Sequence, residues 1–154
     1  EGGFITAQAK EIGGLENTVL AGADGMMSPD FVSAAEEASE GMYFSGPDTA
    51  FSGGTYDKFL EAYETNYGSE PISVFHAHAF DATNMILGCV EEIADQEDDG
   101  TIHVGRQALR DCLYATKDYA GITGSLTCDE YGDCADPKIV VKQLQAGEYV
   151  VVWP

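Results

Sequence analysis

The apolar pattern changes its period once along the chain, near residue 124, and that change constrains the fold more than any single motif. Before it, apolar residues recur at three- and four-residue steps, interrupted by short β-like runs; after it, the pattern is β-rich. Phe4 or Ile5, then Ala9 and Ile12, fall on one helical face that closes at Gly13-Gly14, a C-terminal signal. Val19-Leu20-Ala21 reads as a short buried strand leading into the turn Gly22-Ala23-Asp24-Gly25. Ser28-Pro29-Asp30 is a strong helix start, because Ser28 accepts from free N–H groups, Pro29 suits the first position and Asp30 complements the dipole. That helix is expected to run to about Glu40, stop at Gly41 and give way to a strand at Met42-Tyr43-Phe44, closed by Gly46-Pro47. Helix, strand, helix and strand with tight loops predict an α/β fold with a parallel sheet.

Asp48 to Gly54 is polar and Gly-rich, the best candidate for a crossover between domains. Tyr56, Phe59, Leu60, Tyr63 and Tyr67 then mark an amphipathic helix over 56–67, ended by Gly68. A longer helix is predicted from about Ser73 to Ala94, with Ala79, Ala82, Ile86, Cys89, Val90 and Ile93 on its inner side, and a third over about Arg106 to Thr116. Beyond the change of period, Ser125–Cys128, Ile139–Leu144 and Tyr149–Trp153 read as strands, and Gln145-Ala146-Gly147-Glu148 can fold the last two into a hairpin.

Charge narrows the partners. Seven Lys and Arg stand against 27 Asp and Glu, a formal charge of −20 over 154 residues. Such a surface repels phosphate backbones and anionic membranes, which excludes nucleic-acid binding. With 44% hydrophobic residues the chain still has the makings of a core. No apolar run reaches the 18 or more residues that span a bilayer. The chain opens on Glu1-Gly2-Gly3, almost inside a helix, and is expected to be a mature or proteolysed piece of something longer.

Chemistry-bearing patterns are few. Asp95 to Arg106 copies much of a calcium loop, with acids at positions 1, 3 and 5, Gly100 at 6 and Ile102 at 8. Position 12, which should be a bidentate Glu, is Arg106, so a solvated acidic loop between helices is the expectation. A calcium-binding structural or interaction domain is the rival reading. His76 and His78 sit two residues apart on a predicted helix, about 200° around its axis, and cannot share one metal ion. No metal site and no cofactor are therefore expected. No nucleophile elbow, P-loop or dinucleotide fingerprint is present, so the sequence offers no case for an enzyme. Cys128 and Cys134 bracket a turn-rich span that can bring them within bonding distance. Cys89 and Cys112 lie on consecutive predicted helices, either as buried core thiols or as a second pair.

The order of segments resembles a known family: solute-binding proteins of ABC transporters, branched-chain amino acid type, with the type I periplasmic-binding fold. The resemblance is carried by Ala21-Gly22-Ala23-Asp24-Gly25 with Ser28-Pro29-Asp30-Phe31, and by Glu40-Gly41-Met42-Tyr43-Phe44-Ser45-Gly46-Pro47. Tyr56-Asp57-Lys58-Phe59 and Phe75-His76-Ala77-His78-Ala79-Phe80-Asp81-Ala82 follow in the same order. Arg106-Gln107-Ala108-Leu109-Arg110-Asp111 and the run from Gly121 to Glu130 complete it.

The resemblance implies a Rossmann-like, two-lobed α/β fold of which this chain is the C-terminal portion, ending in β-rich strands. It would place 1–47 in the second lobe, 48–124 in the first, and 125–154 back in the second. It implies capture of an amino acid between the lobes and delivery to an ABC transporter permease. The location would be periplasmic or extracellular, with any signal or lipoprotein anchor outside this sequence. The partners would be the ligand, the permease and the missing N-terminal half of the same protein. Asp24 occupies the acidic position of the Gly-X-acid-Gly turn, so it would hold the ligand's α-ammonium, with Gly25 beside it. The leucine/isoleucine/valine-binding members carry Glu there, and Asp is about one methylene shorter. An exported protein would also favour the disulfides Cys128–Cys134 and Cys89–Cys112.

Overall fold

A computed structural model describes residues 1–51, 54–134 and 138–154. Its helices are α1 (Gly2–Glu11), α2 (Pro29–Ala35), α3 (Gly54–Tyr67), α4 (His76–Ile93) and α5 (Arg106–Tyr114). Its strands are β1 (Ala21–Gly22), β2 (Tyr43–Pro47), β3 (Asp95–Gln96), β4 (Ile102–His103), β5 (Tyr119–Gly121), β6 (Gly124–Leu126), β7 (Ile139–Gln145) and β8 (Glu148–Trp153). The chain divides into two compact units. Unit 1 comprises Glu1–Ala50, Tyr67–Val74 and Lys138–Pro154; unit 2 comprises Phe51–Asn66 and Phe75–Pro137. Ser52 and Gly53, inside the Gly-rich 48–54 connection, lie outside the described residues.

Unit 1 is built on a four-stranded sheet in the order β1-β2-β7-β8. Only β1 and β2 are parallel; β2–β7 and β7–β8 are antiparallel, so the sheet is mixed rather than parallel as expected. The reason is connectivity. A helical crossover joins β1 to β2 and keeps them parallel, whereas the tight turn between β7 and β8 permits only an antiparallel pair. That turn has Gln145 opposite Glu148, with Ala146 at φ 52° and Gly147 at φ 85°. Two left-handed residues in succession match the strand twist, which is why Ala-Gly serves here. The Glu40 carboxylate accepts from Ala146 N–H at 3.0 and 3.1 Å.

Helix α2 begins as its sequence dictates: Ser28 Oγ accepts from Phe31 N–H at 3.2 Å, with Pro29 in the first turn. It ends earlier than expected. Glu36 takes φ 48°, and residues Glu36–Ser39 tighten into a 3₁₀ turn in which Ser39 Oγ donates to the Glu36 carbonyl. Helix α1 also departs from expectation. Phe4, Ile5 and Ile12 are exposed, and the buried positions are Gly3 and Thr6. A Cβ at Gly3 would stand 2.7 Å from Ala34 Cβ, so α1 meets α2 through its smallest residues, which the apolar periodicity does not mark.

The core of unit 1 is Met27, Phe31, Ala35, Met42, Phe44 and Leu144, with Tyr149 packed against it. Phe44 is fully buried and meets Phe31 and Tyr149 edge to face, at 5.4 and 5.2 Å between ring centroids. Each such ring contributes roughly 1.5–3 kcal/mol by leaving water.

Unit 2 is assembled differently. Helix α3 has no buried residue, and the buried line on α4 is Ala77, Asp81, Met85 and Cys89. The stripe expected to face inward is offset from that line: Ala79, Ala82 and Ile86 are exposed, and of the stripe only Cys89 is fully buried. Asp81, 2% exposed, accepts from Ile122 and Thr123 N–H at 2.9 Å each and from Thr123 Oγ1 at 2.6 Å. This carboxylate fastens the β5–β6 hairpin to α4, and a Cβ at Gly121 would collide with it. Disulfides Cys89–Cys112 and Cys128–Cys134 supply the remaining ties, the first joining α4 to α5. Rings from Phe51, Tyr56, Phe59, Tyr63 and Phe80 stack or tilt against one another along α3 and the start of α4.

Candidate ligand site

The carboxyl ends of β1 and β2 lie side by side, as the register of Ala21 on Tyr43 and Gly22 on Phe44 requires. In α/β sheets this is the end at which ligands bind. From β1 the chain passes through extended Ala23 into a single 3₁₀ turn, Asp24–Met26. Met26 N–H donates to the Ala23 carbonyl at 3.0 Å and Met27 N–H to the Asp24 carbonyl at 2.9 Å, which fixes the turn. Asp24 is half-buried, and its Oδ1 accepts from Gly25 N–H at 2.7 Å. Gly25 is exposed and faces open space. A Cβ at Gly46 would collide with Met27 Cε and stand 3.2 Å from Asp24 Cβ, so Gly46 leaves room first for the Met27 side chain and then for Asp24 at the end of β2.

The turn is held from below. Tyr149 Oη reaches the carbonyls of Met26 at 3.3 Å and Ser28 at 3.4 Å. Burial pushes the Tyr149 phenol above its ordinary value, so it is neutral and able to donate at neutral pH. Gly46 and Tyr149 escape the sequence reading because their roles depend on strand register. The available signal is the Gln145–Glu148 turn, whose register sets Tyr149 opposite the buried Leu144.

The chemistry available here is that of one anchored carboxylate beside backbone, suited to receive a cationic group such as an ammonium. A separate cavity of about 280 Å³ opens at the other end of the same strands, lined by Lys10, Glu16, Leu20, Glu40, Met42 and Tyr43 among others. It does not include Asp24.

The remaining candidate residues stand elsewhere. The four cysteines are all in unit 2, in the two disulfides already described. Asp95 to Arg106 forms the β3–β4 hairpin, with Asp95 opposite His103 and Gln96 opposite Ile102. Glu97 is occupied by His103 Nε2 at 2.7 Å, and Asp99 accepts from Thr101 N–H, which lowers its pKa. Of these acids only Asp95 stands in the ladder; Glu97, Asp98 and Asp99 lie in the turn that joins the two strands. Among the described residues, no group of three or more His, Cys, Asp or Glu is placed to hold a metal ion. His76 Nε2 lies 2.7 Å from Tyr56 Oη, whereas the His78 ring packs 5.7 Å from that of Phe51 with Nδ1 buried and unbonded.

No family model and no curated protein matches the chain. Solved structures do. A leucine-binding protein from Thermotoga maritima superposes with a TM-score of 0.73 at 26% identity, covering 97% of this chain and 40% of its own. A putative branched-chain amino acid ABC transporter from Rhodospirillum rubrum gives 0.59 at 28% identity, covering 96% of this chain and 40% of its own. An extracellular ligand-binding receptor from Rhodopseudomonas palustris shares the fold, with a TM-score of 0.69 at 24% identity and 44% of its length covered. The chain thus spans about 40% of the length of the first two structures it resembles. Its fold is a part of the type I periplasmic-binding fold. Within that class, the relatives it is recognised by are the branched-chain amino acid ABC transporter substrate-binding proteins. Among the described residues, no helix is long and apolar enough to cross a membrane.

Proposed function

We propose that this chain is part of an extracytoplasmic, two-lobed solute-binding protein that captures a branched-chain type of amino acid and delivers it to an ABC transporter permease. It performs no reaction; the work is closure of two lobes on a small molecule. Asp24, with Gly25 beside it, receives the α-ammonium. The observation that carries this reading is the half-buried Asp24 carboxylate at the carboxyl ends of β1 and β2, in a chain similar to a leucine-binding protein. A carboxylate partly removed from water and fixed by Gly25 N–H binds an ammonium with little loss of side-chain freedom. Residues 1–47 are assigned to the second lobe and 48–124 to the first. Residues 125–154 are assigned back to the second lobe; that Lys138–Pro154 fall in one compact unit with Glu1–Ala50 supports the return of the closing strands. The remainder of both lobes comes from further chain of the same protein.

The test is calorimetry with leucine on a protein carrying the whole fold. Asp24→Asn should cost on the order of 2–5 kcal/mol of binding, the range for breaking a desolvated charged pair. Folding should be unchanged, since Asn suits the same turn. The 154-residue chain alone should show no micromolar binding: one carboxylate on an open surface offers about 0–1 kcal/mol, against roughly 8 kcal/mol for micromolar affinity. An unaltered dissociation constant for Asp24→Asn would remove Asp24 from the site.

A further inference from the structure

We propose that the Cys89–Cys112 disulfide is a thiol-exchange site, entered over Gly88, at which Cys112 takes up a small thiol without negative substituents as a mixed disulfide. A cavity of about 340 Å³ lies between α4 and the end of α5, and both half-cystines stand in its wall, with Gly88, Glu92, Thr116 and Tyr119 beside them. The two sulfurs are not equally open. Cys89 is 7% exposed and belongs to the buried line of α4, whereas Cys112 is half-buried on α5. The cavity wall includes neither Cys128 nor Cys134. Gly88 marks the way in. It stands inside an 18-residue helix, where glycine is the least favoured residue after proline. It is not one of the left-handed glycines, and a Cβ there would meet nothing within 4 Å. Neither backbone conformation nor a crowding neighbour asks for glycine at this place. What the absent side chain keeps clear is the approach to the adjacent disulfide.

Charge sets the choice of thiol. Glu92 Oε2 lies 3.8 Å from Cys112 Sγ, on a chain of formal charge −20. A thiolate that carries further negative charge is repelled at the last step of its approach, and salt weakens that repulsion. In the exchange a thiolate attacks Cys112 Sγ along the S–S axis. Its sulfur bonds to Cys112 and the Cys89–Cys112 bond breaks. The electron pair leaves on Cys89 Sγ, which takes a proton from water. One disulfide replaces another, so no oxidant or reductant beyond the thiol itself is consumed. Helix α5 has no buried residue and leans on this cross-link to α4, so exchange releases it.

The experiment uses a protein carrying the whole fold and three probes on one two-carbon frame: cysteamine, 2-mercaptoethanol and 2-mercaptoethanesulfonate. Their thiolates are net neutral, singly negative and doubly negative. Each rate, per thiolate, is divided by that probe's rate on the disulfide of 2-mercaptoethanol. Freed thiols are capped during the quench, and adducts are mapped by peptide mass spectrometry. At low salt cysteamine should outpace the sulfonate by about tenfold or more, and molar salt should shrink the difference. The adduct should sit on Cys112 while Cys128–Cys134 stays closed. Ala and Leu favour a helix almost equally, so Gly88→Ala and Gly88→Leu change helix stability alike and differ in how far they fill the entrance. Gly88→Leu should slow every probe severalfold relative to Gly88→Ala, and Glu92→Gln should speed the sulfonate most. Should Gly88→Leu fail to fold, Gly88→Met, another good helix former, supplies the comparison. Equal rates in the Ala variant and its larger counterpart overturn the proposal. So does an adduct on Cys89, earlier opening of Cys128–Cys134, or a rate that climbs with denaturant in step with unfolding.

Discussion

The two units reach order by different means. Unit 1 has a core of large apolar side chains, Phe31, Phe44 and Leu144 with three methionine and alanine neighbours, under a four-stranded sheet. Unit 2 has helices and two short ladders, and its buried positions among the described residues are mostly small or polar, Ala77, Asp81 and the disulfide cysteines Cys89 and Cys128, with Met85 as a large apolar exception. Burial organises the first; covalent and hydrogen-bonded ties organise the second. The lesson is that a piece of a larger fold keeps its shape where its own residues complete a core. Elsewhere it depends on links that need no core.

The sharpest way to break the contrast is reduction. Closing the Cys89–Cys112 loop contributes about 3 kcal/mol and the shorter Cys128–Cys134 loop about 2 kcal/mol, so losing both should cost about 5 kcal/mol. Hydrogen exchange in reductant should then show α4, α5 and β5–β6 opening while β2, β7 and β8 remain protected. Uniform loss of protection would mean that the units share one source of stability.

Phe44→Ala works from the other side. Emptying a fully buried aromatic position costs about 3–5 kcal/mol, and exchange should rise in unit 1 with the disulfides intact. Asp81→Ala should come next, at about 3 kcal/mol, because Ile122 and Thr123 lose their acceptor. Proteolysis between 119 and 126 would detect it, and a variant as resistant as wild type would show that the hairpin is held by something else.

The smallest effect is alkaline. Tyr149 has a folded-state pKa raised by burial, so the folded protein keeps a proton that the unfolded chain releases. This contribution is whole below the unfolded value near 10 and is lost as pH rises through the folded one. Denaturant midpoints of Tyr149→Phe should decline less steeply than wild type above pH 10, and parallel curves would remove the phenol from the account.

What could be read from the sequence was local. Ser28-Pro29-Asp30 announced α2 because a cap, a ring and a carboxylate act within one turn. Gln145 to Glu148 announced the final hairpin for the same reason. The turn carrying Asp24 was legible as a turn, but its neighbour Gly46 and its support Tyr149 arrive through register across the sheet. The faces of α1 and α4 were misjudged by periodicity. On α1 a close crossing selects Gly3 and Thr6, and on α4 the buried line carries an acid where pattern favours isoleucine. Hydrophobicity identifies which residues avoid water, not which partner is within reach.

Asp81 carries a consequence for ionic strength. Its partners are two amides and a hydroxyl, not a cation, and it is shut away from solvent. Mobile ions weaken interactions among exposed charges but scarcely enter a site like this one. Added salt should therefore relax the mutual repulsion of the acidic exterior while leaving the tie between α4 and the β5–β6 hairpin at full strength. In brine or in dilute buffer, that corner of the molecule should behave the same.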